Sequence, residues 1–172
     1  MTMRDIMMVE IYGVNFAVVD VVKETELSVT AMKKQKEKYE EALQDCEFVL
    51  AQIRVGKLPC RHIDESIPLK HDLIGQETTG IGGVFKAQRT IPVIKKICER
   101  IEAICPDAWL INFTNPSGII TEFILNHTNV KNIGLCNVPI DMLDDVKEIT
   151  GEDSEITYVG LNHLSWITSV KK

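Results

Sequence analysis

The chain has 172 residues, 45% of them hydrophobic, and a formal charge of −6 from 19 basic and 25 acidic side chains. That length suits about one domain with a core of its own, and the negative balance argues against nucleic acid or an anionic membrane surface as the main partner. Five cysteines, Cys46, Cys60, Cys98, Cys105 and Cys136, are an odd number without paired spacing, the pattern of reduced thiols in a cytoplasmic protein rather than of a disulfide frame. The opening MTMRDIMMVE carries charges inside its apolar stretch, so neither a leader peptide nor an anchor is expected. No apolar run approaches the roughly 20 residues of a spanning helix.

The first expected element is a buried strand in the β-branched run VNFAVVDVV, residues 14–22. ELSVTA (26–31) reads as a second strand, and MKKQKEKYEEALQD (32–45) as a helix with a solvated face. CEFVLAQI (46–53) is the next strand. The stretch from 54 to about 80 contains Pro59 and Pro68, lacks clear periodicity and reads as a long functional loop. AQRTIPVIKKICERIEAIC (87–105) places Ile91, Ile94, Ile97, Cys98, Ile101 and Ile104 at helical spacing, with Pro92 in the first turn or at a kink. AWLINF (108–113) is a strand, TNPSG a turn and IITEFILNHT (119–128) a helix. KNIGLC (131–136) is a strand, and VPIDMLDDVKEIT (138–150) a helix opened by Pro139 and stopped by Gly151. EITYVG (155–160) reads as a last strand of the same sheet.

Alternating strands and helices predict an α/β fold, a Rossmann-like parallel sheet with helices on both faces. Ligands of such sheets bind outside the carboxyl ends of the strands. Arg54, Asn115, Cys136 and His163 all fall at such ends in this reading. Thiolate and imidazole from two neighbouring strand ends can share a divalent metal and leave positions open for substrate. The ordinary alternative, a core cysteine and a hydrogen-bonded histidine, is the commoner use of these residue types. Asn115 either caps the following helix or turns its amide toward a ligand. Arg61 is a candidate fork for an anion, while Asp64 and Glu65, being adjacent, point apart and make no acid–base pair.

QIRVGKLPCRHIDESIPLKHDLIGQETTGIGG, INFTNPSGIITEF, IGLCNVPI and GLNHLSW, taken together, resemble the NAD- and metal-dependent family-4 glycoside hydrolases, distant relatives of lactate and malate dehydrogenases. The likeness runs from about Cys46 to Trp166 and is poor over residues 1–40. It implies a cytoplasmic hydrolase acting on a small phosphorylated sugar with NAD and Mn²⁺ or another divalent metal, outside the usual two-carboxylate rule for glycosidases. The implied chemistry is oxidation at C3 by NAD⁺, metal-assisted elimination across C2 and C1 after a tyrosine takes the C2 proton, water addition, and return of the hydride.

Residue by residue, the resemblance assigns Cys136 and His163 to the metal and Asn115 to the substrate. It assigns Arg61 to the substrate near its phosphate, and Arg54 and Asn112 to the cofactor. It gives Glu77 a supporting role toward a tyrosine base that this chain does not carry. Asn137 follows the metal cysteine where α-specific members tend to have Asp, and an amide cannot donate a proton as a carboxylic acid does. The expected activity is therefore that of a 6-phospho-β-glucosidase. A phospho-α-glucosidase, α-galactosidase or α-galacturonidase of the same family stays open as an alternative, as does an inactive remnant or non-enzymatic module. A 2-hydroxyacid dehydrogenase would explain the fold but not the Cys136–His163 pair.

No G-x-G-x-x-G phosphate loop is found, and Gly13 is the only glycine before Gly56. Asp20 resembles a ribose-binding acid but reads as an ordinary strand-end residue. Residues 1–172 are thus expected to form a partial NAD-binding domain lacking its Gly-rich loop, with a substrate domain absent, from a homo-oligomeric enzyme more than twice this length.

Overall fold

A computed structural model describes residues 6–11, 14–19, 40–161 and 163–171. The expected strand at 26–31, Asp20 and most of the expected helix 32–45 lie outside them, although residues 40–43 are helical. Two strands come first, β1 (Ile6–Ile11) and β2 (Val14–Val19). They are followed by β3 (Phe48–Ala51), α1 (Lys57–Leu69), α2 (Gly80–Ile104), β4 (Trp109–Asn112) and α3 (Ser117–His127). Then come β5 (Lys131–Gly134), α4 (Val138–Thr150), β6 (Glu155–Leu161) and β7 (Leu164–Lys171).

One five-stranded sheet runs in the order β1-β2-β3-β4-β5. β2 through β5 are parallel, and β1 adds an antiparallel edge that the charged N-terminal stretch did not suggest. Burial alternates along the central strands: Val49, Ala51 and Leu110 on one face form a single cluster with Ile94, Ile97 and Ile101 of α2 and Ile120 and Ile124 of α3. The period of two along a strand meets the 3.6-residue period along a helix there, and this apolar layer is the main source of stability.

Three expectations are corrected. The long loop expected at 54–80 contains α1, whose prolines hid it. Pro59 sits in the first turn, where a missing N–H costs nothing, and Pro68 stands next to the helix end. Second, β6 does not extend the parallel sheet. It pairs antiparallel with β7 in a separate two-stranded sheet, Glu155 opposite Lys171 and Leu161 opposite Leu164. Strand propensity marks a strand but not its partner. Pro92 lies in the middle of α2, since the helix begins seven residues before Ala87.

Candidate active site

The parallel strands end level with one another, Ala51 beside Asn112 beside Gly134. The backbone continues that alignment past the strands, with Phe113 N–H donating to Ala51 O at 2.8 Å and Leu135 N–H to Asn112 O at 2.9 Å. The chain segments carrying Arg54, Asn115 and Cys136 therefore leave the sheet from one edge, as expected of a ligand-binding crevice.

Thr114 ties these segments together. Its hydroxyl accepts from Ile53 N–H at 3.1 Å and donates to Ala51 O at 3.3 Å. Asn112 is fully buried, and its Oδ1 accepts from Thr114 N–H at 3.0 Å. The Asn112 side chain thus shapes the turn and is turned away from solvent. Asn115 is half-buried and precedes a cis Asn115–Pro116 bond. Pro116, not Asn115, holds the cap position of α3, and no side chain caps that helix.

A cavity of about 480 Å³ lies between the first turns of α3 and the end of β5. Ser117, Gly118, Thr121, Glu122, Leu135 and Cys136 are among its lining residues. Cys136 is half-buried on this wall. Asn137, exposed at the start of α4, donates from Nδ2 to Asp141 Oδ2 at 2.7 Å. His163 is exposed in the turn between β6 and β7. Because β6 pairs with β7, Cys136 and His163 do not stand on neighbouring strands of one sheet as expected.

The densest electrostatic feature lies elsewhere, on Glu77 between α1 and α2, and does not line that cavity. Arg54 and Lys86 both donate to Glu77 Oε1, and Arg61 Nε stands 3.4 Å from Oε2. Arg61 Nε also donates to Glu65 Oε1 at 2.8 Å. Burial pushes the Glu77 carboxyl up, but the hydrogen bonds and charges of Lys86 and Arg54 outweigh it and hold the group below the ordinary carboxylate range. Burial lowers the Lys86 ammonium, with Glu77 opposing that shift. Asp64, buried, takes both Nη groups of Arg89 and so clamps α1 to α2. Asp64 and Glu65 do point apart, one to Arg89 and the other to Arg61.

Close backbone approach makes the cluster possible. A Cβ at Gly82 would stand 2.3 Å from Gln76 O and 3.0 Å from Asp64 O. Only glycine lets the start of α2 lie against both the Glu77 loop and the Asp64 turn.

A family model described as family 4 glycosyl hydrolase matches residues 3–152. The chain belongs to family 4 of the glycosyl hydrolases. The match reaches further toward the N-terminus than the quoted motifs do, and it ends before His163. A 6-phospho-beta-glucosidase of Escherichia coli (strain K12) is 50% identical over 135 residues, which is 76% of this chain and 30% of that enzyme. A 6-phospho-alpha-glucosidase 1 of Lacticaseibacillus paracasei is 42% identical over 139 residues, 77% of this chain and 31% of that enzyme. Among solved structures, the 6-phospho-beta glucosidase of Thermotoga maritima with manganese, NAD⁺ and glucose-6-phosphate superposes with a TM-score of 0.69 at 45% identity, covering 77% of this chain and 34% of that one. The chain thus spans about 30% of the length of the curated relatives.

The family fold accounts for the parallel strands and their common edge. Among the described residues, no three His, Cys, Asp or Glu side chains gather to enclose a metal, so a closed structural site is not formed there. A thiol and an imidazole are the ligand types of an open transition-metal site, but among the described residues no hydrogen bond or sheet pairing joins Cys136 to His163. Lys86 and the Asp64–Arg89 clamp were missed in the sequence. Lys86 had a signal, because it occupies the face of α2 that also carries Thr90, Val93, Ile94 and Ile97, all buried. A lysine in such a row must find a carboxylate.

Proposed function

We propose that this chain is the strand-end, metal-binding portion of a 6-phospho-β-glucosidase. The observation that carries the reading is Cys136–Asn137 at the carboxyl edge of a family-4 sheet, a cavity-wall thiol followed by an amide. The identity to a 6-phospho-beta-glucosidase, 50% against 42% for the α-enzyme, supports it. NAD and a divalent metal, when bound, supply hydride transfer at C3 and Lewis-acid polarisation of the neighbouring sugar oxygens.

Cys136 and His163 are the proposed metal ligands, and the open coordination between them leaves room for sugar hydroxyls. Asn137 donates hydrogen bonds and carries no transferable acid proton, so leaving-group protonation is left to solvent. Asn115, on the same edge, orients the sugar. Arg61 meets the phosphate, and Glu77 keeps Arg54 and Arg61 in place. Arg54, held by the same Glu77 oxygen as Lys86, joins Arg61 at the phosphate in place of the cofactor role that the resemblance assigns it. Asn112 acts by shaping the turn, since its side chain is fully buried. The reading places the enzyme in the cytoplasm as a homo-oligomer, without nucleic acid or membrane partners.

The test is anomer preference. Chain saturated with Mn²⁺ and NAD⁺ is titrated calorimetrically with the 4-nitrophenyl 6-phosphoglucosides of both anomers. The β-anomer is expected to bind more tightly, and Asn137→Asp to narrow the gap. Equal binding, or preference for the α-anomer, overturns the β assignment.

A further inference from the structure

We propose that Lys86 is a positioning residue that, through Glu77, sets Arg54 and Arg61 to receive a phosphate monoester; the substrate class rests on the function proposed above. Three cations from three elements reach one carboxylate: Arg54 from the segment after β3, Arg61 from α1 and Lys86 from α2. They are not equivalent. The Lys86 side chain is 3% exposed, whereas those of Arg54 and Arg61 are 38% and 42% exposed. Lys86 is therefore the inner strut, and the arginines form the outer face.

Hydrogen-bond use points the same way. Arg54 contacts Glu77 through Nη1, and Arg61 contacts Glu65 and Glu77 through Nε. Among the described residues, Arg54 Nη2 and both Nη groups of Arg61 are left without a partner. A guanidinium with one edge anchored and the other open is a prepared fork for an oxoanion.

Charge supplies the attraction. Arg54, Arg61 and Lys86 bring three positive charges against the two negative charges of Glu77 and Glu65, a surplus of one. Without Lys86 the surplus vanishes, and Glu77 would draw both arginines onto itself. Thr78, beside Glu77 and 2% exposed, carries a hydroxyl with no partner among the described residues. The same loop therefore retains unused polar capacity.

The experiment follows the Nε resonances of Arg54 and Arg61 and the Cδ resonance of Glu77 by NMR in the chain and in Lys86→Met and Lys86→Arg. Glucose 6-phosphate is titrated in one arm and pyrophosphate in the other, without metal. The chain is expected to bind glucose 6-phosphate saturably and more tightly than pyrophosphate. Lys86→Met should weaken that binding by about tenfold, because the cluster loses its surplus positive charge and Glu77 draws the arginines inward, and move the Glu77 titration midpoint upward. Lys86→Arg should restore most of both. Unchanged affinity or an unchanged Glu77 midpoint in Lys86→Met overturns the proposal, as does a chain whose arginines ignore glucose 6-phosphate or prefer pyrophosphate. If Lys86→Met does not fold, the proposal falls unless Lys86→Arg keeps both readouts near those of the chain. Because no metal is present, these outcomes are separate from those that test the metal and anomer assignments.

Discussion

Replacing Glu77 by Gln changes one oxygen for an amide and removes the charge on which three cations converge. Glu77 is 7% exposed and Lys86 is 3% exposed, so the ammonium would remain buried without its carboxylate. Breaking a buried pair from one side costs about 3–5 kcal/mol. Arg54 and Arg61 are exposed enough to turn toward water, which places the loss near about 3 kcal/mol. With a urea m-value of about 2 kcal/mol/M, the midpoint at neutral pH should fall by about 1.5 M.

The pH dependence follows from the same groups. The folded Glu77 carboxyl lies below its ordinary value of 4.5. Its stabilising contribution is therefore fully present above that value and lost as the pH falls through the lower folded one. Lys86 is shifted below 10.5 in the folded chain, so the unfolded chain holds more protons there and stability rises as pH climbs through that window. In Glu77→Gln the Lys86 ammonium falls further, and the window widens toward neutrality. Urea unfolding by circular dichroism should show the variant regaining stability on the alkaline side and losing the share of the acid-limb dependence that Glu77 contributes. A loss under about 1 kcal/mol, or a loss independent of pH, would refute the reasoning.

Gly82→Ala gains about 1 kcal/mol of helix preference, yet its methyl would stand 2.3 Å from Gln76 O. The backbone clash wins, and the melting temperature should drop by about 4–8 °C, a cost of about 2 kcal/mol; an increase would sink the close-approach argument. Burial holds the Cys98 thiol at about 12 and the Cys105 thiol at about 11, and it also raises Cys46. Iodoacetamide at about pH 8 should therefore label half-exposed Cys60 and Cys136 in the native chain and spare the other three until denaturant is added. Peptide mass spectrometry reads the outcome, and native labelling of Cys98 would contradict the packing.

Legibility in the sequence followed how local the cause was. α4 could be read to the residue because Pro139 opens it and Gly151, in the left-handed region at φ 76°, closes it. β3, β4 and β5 were legible as short, largely apolar stretches set between helix-periodic segments and turn residues. α1 was hidden because Pro59 and Pro68 read as loop punctuation, although Pro59 sits in the first turn, where proline is tolerated, and Pro68 is the last residue but one of the helix. The pairing of β6 with β7 was illegible, since a strand's own residues do not name its neighbour. At the site, strand-end residues could be placed from motif and order. The Glu77 cluster could not, because Arg54, Arg61 and Lys86 meet only once α1 packs on α2.

Cobalt(II) titration tests the central claim most directly, because a thiolate on cobalt produces a charge-transfer absorption that imidazole and carboxylate ligands do not. The chain is expected to develop that band at one equivalent, with Cys136→Ser abolishing it, His163→Ala weakening the affinity, and Cys60→Ser leaving both unchanged. A band that survives Cys136→Ser, or no band at any cobalt concentration, would contradict a metal held at the end of β5.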